Sequence, residues 1–425
     1  MREMKDSGVP WIGVIPVGWK RDKVIRLFKF IGSGTTPKSS DEDSFEGSIN
    51  WIQSGDINGG VINACKKRVS EDALLTYSAL KLYRAPFIVI AMYGASVGNT
   101  CVSLIDGCVN QACCVLKDSV MDEQYAFSVF KALKGYLLYL ALGGGQTNIS
   151  IETIKSSWLP FPPLEEQHRI ATFLDIKCSE IDSIIIRSKA SIDEYKKLKQ
   201  SIITEAVTNG VHGDRPLKDS GVDWIGKIPT DWSCKRIKHC FSLRDERNTQ
   251  PMEDVTLLSL YTEIGVFPHG EREERGNKAV TVDGYKIVHK DDIVVNIILA
   301  WMGAIGISEY DGVTSPAYDV WMQKDNSIYA RYFHYLFRTK GIAAECYKYG
   351  RGIMMMRWRT YSDEFKQISI PYPPIEEQQE IVYYLDEKCA VIDSLISSKE
   401  SLITELESYK NSLIFEYVTG KKRVA

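Results

Sequence analysis

The sequence predicts an α+β chain. Two mixed α/β modules are joined by two long antiparallel helices that pair as an intramolecular coiled coil, giving a pseudo-twofold. Three observations predict this. Two segments each occur twice in the same order, the stretches Leu164–Asn209 and Ile375–Thr419 contain no Gly or Pro, and the segments between the copies show little similarity.

The first repeated segment is Lys5-Asp6-Ser7-Gly8-Val9, which returns as Lys218-Asp219-Ser220-Gly221-Val222 and stays in register through Trp11/Trp224, Pro16/Pro229 and Trp19/Trp232. Its tryptophans, glycines and proline read as an extended, turn-rich packing segment. One copy starts the chain and the other follows the first helix. A closed pseudo-twofold therefore needs the N-terminal copy beside the end of the second helix.

The modules span about residues 20–159 and 233–370, each long enough for a domain. Short apolar runs such as Phe87–Ala91, Cys113–Leu116 and Ile293–Ile298 read as buried strands. Helical stretches are expected near Gln124–Leu142 and Ser327–Tyr347, followed by Gly143-Gly144-Gly145 and Gly350-Arg351-Gly352.

The second repeated segment opens each long helix. Pro162-Pro163-Leu164-Glu165-Glu166-Gln167 returns as Pro373-Pro374-Ile375-Glu376-Glu377-Gln378, and the copies stay in register to Val207-Thr208/Val418-Thr419. Proline suits a helix start, glutamate suits the positive end of the helix dipole, and Gly210 and Gly420 suit left-handed caps. About 45 residues at about 1.5 Å each make a helix of about 65 Å. A heptad-like seam is expected over Ile181, Ile184, Ser188, Ile192, Tyr195, Leu198 and Ile202. The second helix offers Ile392, Leu395, Lys399, Leu402, Leu406, Tyr409 and Leu413. Such a stripe needs a partner, and the other copy is the nearest. Ser188 and Lys399 occupy equivalent seam positions, as a register-setting pair or as a slack spot. The expected divisions are 1–159 (repeat plus first module), 160–217 (first long helix and linker), 218–370 (repeat plus second module) and 371–425 (second long helix).

Bulk composition narrows the function. The 425 residues suit two or three domains, and 44% hydrophobic with 25% charged residues excludes a disordered chain. The charged start leads no apolar run, so no secretory signal is expected. The longest apolar stretch, Ile293–Ile307, is broken by Asn296 and reads as strand, so no membrane span is expected. The ten cysteines form no C-x-x-C pair, which suits reduced thiols in a cytoplasm. A net charge of −3 argues against a stand-alone nucleic-acid binder, so any DNA contact needs local patches or a partner's charge.

Catalytic signatures are weak. Gly94-Ala95-Ser96-Val97-Gly98 matches the nucleophile-elbow spacing, but the strand-like Asn99–Leu104 follows where a helix is required. Cys234, His239 and Cys240 fit no zinc spacing. No P-loop or dinucleotide fingerprint occurs. Pro371-Tyr372-Pro373-Pro374 lacks the leading acid or amide of an amino-methyltransferase motif. A non-catalytic chain without metal or cofactor is expected.

Local charge points elsewhere. Lys340, Lys348, Arg351, Arg357 and Arg359 interleave with Tyr347, Tyr349 and Trp358, and a second cluster holds Lys235, Arg236, Lys238, Arg244 and Arg247. Lys66-Lys67-Arg68 is a smaller patch in the first module. Phosphate contact needs such clusters, arginine reads guanine bidentately, and Gln or Asn suits adenine edges. The DNA-binding candidates are Lys66, Lys67, Arg68, Gln146, Asn148, Lys235, Arg236, Lys348, Arg351, Arg357 and Arg359. Asn110 and Gln111 also have suitable side chains, but they lie beside a buried strand where they can satisfy local backbone.

The order of repeat, variable module and long helix, twice over, resembles the specificity subunit of type I restriction–modification systems. The doubled Pro-Pro-x-Glu-Glu-Gln helix start and the segments Trp11–Pro16 and Trp224–Pro229 carry the resemblance. Gly34–Pro37, Trp51–Ile57 and Ala300–Gly306 add to it within the modules. The resemblance implies two target-recognition domains, each reading half of an asymmetric bipartite site in double-stranded DNA. It implies helices that set the spacing and dock two modification (methyltransferase) subunits. Glu165, Glu166, Gln167, Glu376, Glu377 and Gln378 are the docking or scaffold candidates. S-adenosylmethionine would then belong to the modification subunits, and ATP with Mg²⁺ to restriction subunits. The competing reading is a coiled-coil adaptor without DNA-reading activity.

Overall fold

A computed structural model describes residues 2–141, 148–262, 265–270, 281–352 and 358–424. The chain divides into two compact units, Met1–Ser188 with Glu400–Ala425 and Lys189–Lys399. The cuts fall after Ser188 and after Lys399, the two positions that the repeat makes equivalent. Each unit therefore holds one module, the start of one long helix and the end of the other. This partition differs from a reading in which each helix is a segment of its own.

In the first unit a five-stranded sheet runs in the order Phe28–Ser33, Cys113–Ser119, Phe87–Ala91, Thr100–Ser103, Val61–Ile62. The first three pairings are antiparallel and the last is parallel. Phe87–Ala91 is buried along its whole length, which explains its unbroken apolar run. A three-stranded sheet runs in the order Cys108–Val109, Ile49–Ile52, Arg68–Val69. The helix Glu123–Ala141 buries Tyr125, Val129, Phe130, Leu133 and Leu137, a one-face spacing.

The second unit repeats the central pattern with four strands, Phe241–Arg244, Tyr318–Gln323, Ile293–Asn296 and Ile305–Ile307, all antiparallel. The strand expected to reach Ile298 ends at Asn296, whose Oδ1 accepts from the Ile298 and Leu299 amides and turns the chain. The single helix expected here is two, Ala330–Phe337 and Lys340–Tyr349. Thr339 divides them, because its hydroxyl caps the second helix while donating to Leu336 O.

The repeated frame folds the same way in each unit. Met4–Asp6 pairs with Val14–Pro16, and Leu217–Asp219 with Lys227–Pro229. Gly8 and Gly13 turn these hairpins at φ +64° and +68°, and Gly221 and Gly226 at +70° and +71°, a region that disfavours other residues. Lys20–Lys23 then pairs with Trp158–Phe161, and Ser233–Arg236 with Ser369–Tyr372. The long helices span Leu164–Asn209 and Ile375–Val418.

Within the first unit, Phe173 meets Tyr417 (centroids 4.5 Å apart) and Asp182 meets Lys410 at 2.5 Å. Within the second, Lys199 meets Asp393 at 2.7 Å and Lys399 lies 6.0 Å from the Tyr195 ring. One number rises as the other falls, so the helices pair antiparallel. The seam is not quite the expected one. Ile181, Ile185, Ser188 and Ile192 are buried, as are Cys389, Ile392, Ile403 and Leu413. Ile184, Leu198, Leu395, Leu402 and Tyr409 are exposed. The seam uses Ile185 over Ile184 and Lys199 over Leu198, because the antiparallel face is completed by ion-paired lysines as well as apolar side chains.

The end of the second long helix returns to the start of the chain. Tyr125 donates its hydroxyl to Val418 O at 2.9 Å, and Gly420 lies so close to Pro16 and Trp19 that a Cβ would fall 2.5 Å from Pro16 Cδ. In the second unit Tyr332 donates to Val207 O at 2.8 Å, the equivalent bond.

Candidate nucleic-acid interface

The glutamates and glutamines that start the long helices divide by role. Glu166 accepts from Trp19 Nε1 at 2.9 Å and pairs with Arg2 at 2.5 Å. Glu377 accepts from Trp232 Nε1 at 2.6 Å and pairs with Arg215 at 2.5 Å. The Arg2 hydrogen bond holds the Glu166 carboxyl below its usual range, with burial opposing. Gln167 donates to Pro162 O and accepts from Asp122 N, while Gln378 donates to Pro373 O and accepts from Tyr329 N. These four side chains lock each helix to its module. Glu165 and Glu376 are exposed and take no such part.

Some of the candidates lie beside an equivalent hairpin turn in each module. In the first, the turn Gly94–Gly98 joins strands Phe87–Ala91 and Thr100–Ser103, and Ile149 N donates to Met92 O at 2.7 Å. In the second, residues 297–304 join the corresponding strands, and Thr360 N donates to Ile297 O at 2.9 Å. The chain following each Gly-rich loop is therefore pinned beside the hairpin turn. The Gly94–Gly98 stretch is a turn entering a strand, not a strand entering a helix, so the serine lacks the elbow geometry.

Three basic residues of the second module, Lys348, Arg351 and Arg359, lie here. Arg351 and Arg359 bridge through both backbone hydrogen bonds, at 2.9 and 3.0 Å. Trp358 stacks on Tyr347 (4.9 Å, 22°), and Tyr347 packs on Trp301 (6.0 Å). Lys348, Arg351 and Arg359 are exposed around this aromatic platform. Lys348 contacts Glu345 at 3.4 Å, and Arg351 contacts Glu364 at 3.2 Å while lying over Tyr361. Glu364, which follows Arg359 in sequence, partly offsets the positive charge. Trp301 is uncharged and lies some fifty positions upstream of the basic cluster, so charge patterning does not mark it. Asp319 secures the return segment, since it accepts from Lys286 at 2.8 Å and from Ser362 at 2.6 Å.

Other candidates sit apart. Lys235 packs 3.5 Å from the Tyr372 ring and Arg236 donates to Gln367 Oε1, both within the strand pair at the helix start. Lys66, Lys67 and Arg68 are exposed, with Lys67 over Trp51 and Arg68 donating to Ser48 O at 2.8 Å. Asn148 is exposed next to Ile149. Gln146 and Arg357 lie outside the described residues. Asn110 accepts from Ala112 N and Cys113 Sγ, and Gln111 accepts from Thr36, so both serve local structure.

A profile of the type I restriction modification DNA specificity domain matches residues 16–192 and again 229–408. The chain belongs to that family. It is a type I specificity subunit with two target-recognition domains, the two modules described above. Among relatives of this specificity family, the chain is 22% identical over 433 residues to the MjaVIII specificity subunit of Methanocaldococcus jannaschii, spanning 96% of this chain and 94% of that one. It is 24% identical to the EcoBI specificity subunit of Escherichia coli, spanning 74% and 69%. The fold matches a chain solved in work on assembly and conformational transition of the type I R-M system (TM-score 0.70, 14% identity, 96% and 99% covered). It also matches the HsdS subunit of Thermoanaerobacter tengcongensis (TM-score 0.51, 14% identity, 96% and 98% covered). No helix among the described residues is long and apolar enough to cross a membrane.

Proposed function

We propose that this specificity subunit is a non-catalytic reader. Each target-recognition domain reads one half of a bipartite asymmetric site in double-stranded DNA, and the long helices set the spacing and dock two modification subunits. The observation that carries this reading is an equal frame around unequal edges. The pairs Trp19–Glu166 and Trp232–Glu377, and Tyr125–Val418 and Tyr332–Val207, repeat one packing scheme. The module edges differ, with Asn148 beside one hairpin and Lys348, Arg351, Arg359 and the Trp301–Tyr347–Trp358 platform beside the other. A frame built twice around different readers suits a site with two different halves.

In the complex, S-adenosylmethionine would bind the modification subunits, and ATP with Mg²⁺ the restriction subunits, in the cytoplasm. The partners' surfaces would supply the positive charge that this chain, at −3, lacks. Glu165 and Glu376, exposed at the helix starts, are the helix-start candidates left for docking a partner.

Methylome sequencing of cells expressing this chain with its modification subunits tests the reading. The expected result is one motif with two unlike half-sites. Replacing residues 20–159 with another member's domain changes one half only. A change in both halves, or no motif, contradicts it and favours an adaptor.

A further inference from the structure

The hairpin turn of the second module, residues 297–304, holds two large apolar side chains out to solvent. Leu299 is 37% exposed and Met302 54%, three positions apart on one short helical turn. A single exposed apolar side chain is ordinary on a protein surface. This pair differs because the backbone beneath it is fixed on all sides. Asn296 Oδ1 accepts from the Ile298 and Leu299 amides, at 3.0 and 3.3 Å. Leu299 O accepts from Met302 N at 2.9 Å and from Ala304 N at 3.1 Å, and Trp301 Nε1 donates to Ile298 O at 3.0 Å. Gly303 closes the turn at φ +84°. Ala300 is buried, and Trp301 packs on Tyr347. None of these bonds uses the side chain of Leu299 or Met302.

The pseudo-twofold supplies an internal comparison. The turn at the same place in the first module, Gly94–Gly98, exposes Gly94 and Ala95 and carries no leucine or methionine. A hairpin of this frame therefore closes with a small tip, and folding does not require the apolar pair.

The surroundings of the pair indicate what covers it. The turn packs against the helix Lys340–Tyr349, which exposes Lys348 near its end and Arg351 two positions beyond it. The return segment, bonded to Ile297 O through Thr360 N, exposes Arg359, which has no acidic partner among the described residues. Glu345 and Glu364, the acids that contact Lys348 and Arg351, are both less exposed than those cations. A cationic rim around an apolar tip matches the major groove of DNA. Phosphates border that groove, and its apolar feature is the 5-methyl group of thymine. The unbranched thioether of methionine adapts to such a group, and a turn already fixed costs little further ordering on binding.

We propose that Leu299 and Met302 are specificity-determining residues, which read thymine through its 5-methyl group in the half-site of the second module. The proposal rests on the reading of the chain as a DNA-specificity subunit and adds to it the base edge that this turn selects.

The test uses the full chain assembled with its modification subunits. Methylome sequencing of the wild type, and of the chain with residues 20–159 replaced, identifies the half-site that belongs to the second module. Each thymine of that half-site is then replaced in turn by deoxyuridine, which lacks only the 5-methyl group and keeps the base pairing. Wild-type affinity is expected to fall about fourfold at one or two of these positions, the effect of one buried methyl group. Met302→Ala and Leu299→Ala are expected to bind the thymine duplex more weakly by a similar factor and to lose their sensitivity to deoxyuridine there. Met302→Gln, which keeps the length and removes the apolar end, is expected to behave as Met302→Ala does. The log–log salt slope stays that of the wild type, because an apolar contact releases no counterion. Variants that remain as sensitive to deoxyuridine as the wild type overturn the proposal. So do variants that weaken the motif duplex and a random duplex equally, which would make the tip a sequence-independent wedge or a contact to a partner subunit. A wild-type complex with no preference for its motif duplex defeats the specificity reading and this inference with it. A preference that no deoxyuridine substitution weakens defeats the inference alone.

Discussion

Lys199 holds both carboxylate oxygens of Asp393 at 2.7 Å, and their repeat equivalents, Lys410 and Asp182, make the same contact at 2.6 and 2.5 Å. Each pair ties one long helix to the other within its own unit. Both lysines occupy the seam, where a purely apolar reading expects leucine or isoleucine.

Charge reversal tests whether these pairs select the pairing register. Because Asp393 is more than half exposed, Lys199→Ala is expected to cost less than about 1 kcal/mol. Lys199→Glu is expected to cost more, through repulsion by Asp393, and Lys199→Glu with Asp393→Lys to recover most of it. Urea denaturation of the wild type, Lys199→Glu, Asp393→Lys and the double variant measures the coupling, and additive single effects would argue against a register role.

Glu377→Ala is expected to destabilise the second unit by about 3 kcal/mol, because it leaves Trp232 Nε1 without its acceptor and leaves the mostly buried Arg215 guanidinium with only Asp231, at 4.0 Å, as an acidic partner. Glu376→Ala, one position away and exposed, is expected to stay within about 0.5 kcal/mol. Equal costs in denaturant titrations would show that the neighbouring glutamates are interchangeable.

Acid sensitivity follows from Glu166. Its folded pKa is depressed by the Arg2 hydrogen bond, so its contribution is fully present above the unfolded value of about 4.3 and is lost as pH falls through the folded value. Glu166→Gln is expected to lower the melting temperature at neutral pH and to narrow its gap to the wild type as pH drops below about 4. A gap that is constant with pH would assign the effect to packing.

Asp319→Ala is expected to cost about 3–5 kcal/mol by stranding buried Lys286, and to loosen the return segment after Arg359 through the lost Ser362 bond. Faster hydrogen exchange at residues 358–362 is the local signature. Exchange raised evenly over the whole unit would indicate global destabilisation alone.

Arg359→Ala is expected to relax one base position of a single half-site by about 1–3 kcal/mol. The methylated motif reads this directly. Uniform weakening across sequences would make Arg359 a backbone contact.

The frame was legible because duplication prints the same constraint twice. The second appearance of the Trp19 segment and of Pro-Pro-x-Glu-Glu-Gln marks residues of the frame, and Glu166, Gln167, Glu377 and Gln378 do pack. The seam phase was harder, since Ile184-Ile185-Ile186 supports any of three faces and the cross-helix ion pairs decide between them. The candidate interface was legible only in part. Charge patterning singles out Arg351 and Arg359, but their bridge, the distant Trp301 and the offsetting Glu364 depend on folding. The same patterning singles out Lys235 and Arg236, which lie in the strand pair at the helix start.

The division of the chain after Ser188 and after Lys399 has a consequence for synthesis on the ribosome. The second unit is continuous in sequence and has all its parts once Lys399 has emerged. The first unit, begun earlier, waits for Glu400–Ala425, which bring Val418 to Tyr125 and Gly420 to Trp19. The half translated first is thus the half finished last, and a product cut short before Glu400 keeps an intact second reader beside an unfinished first one.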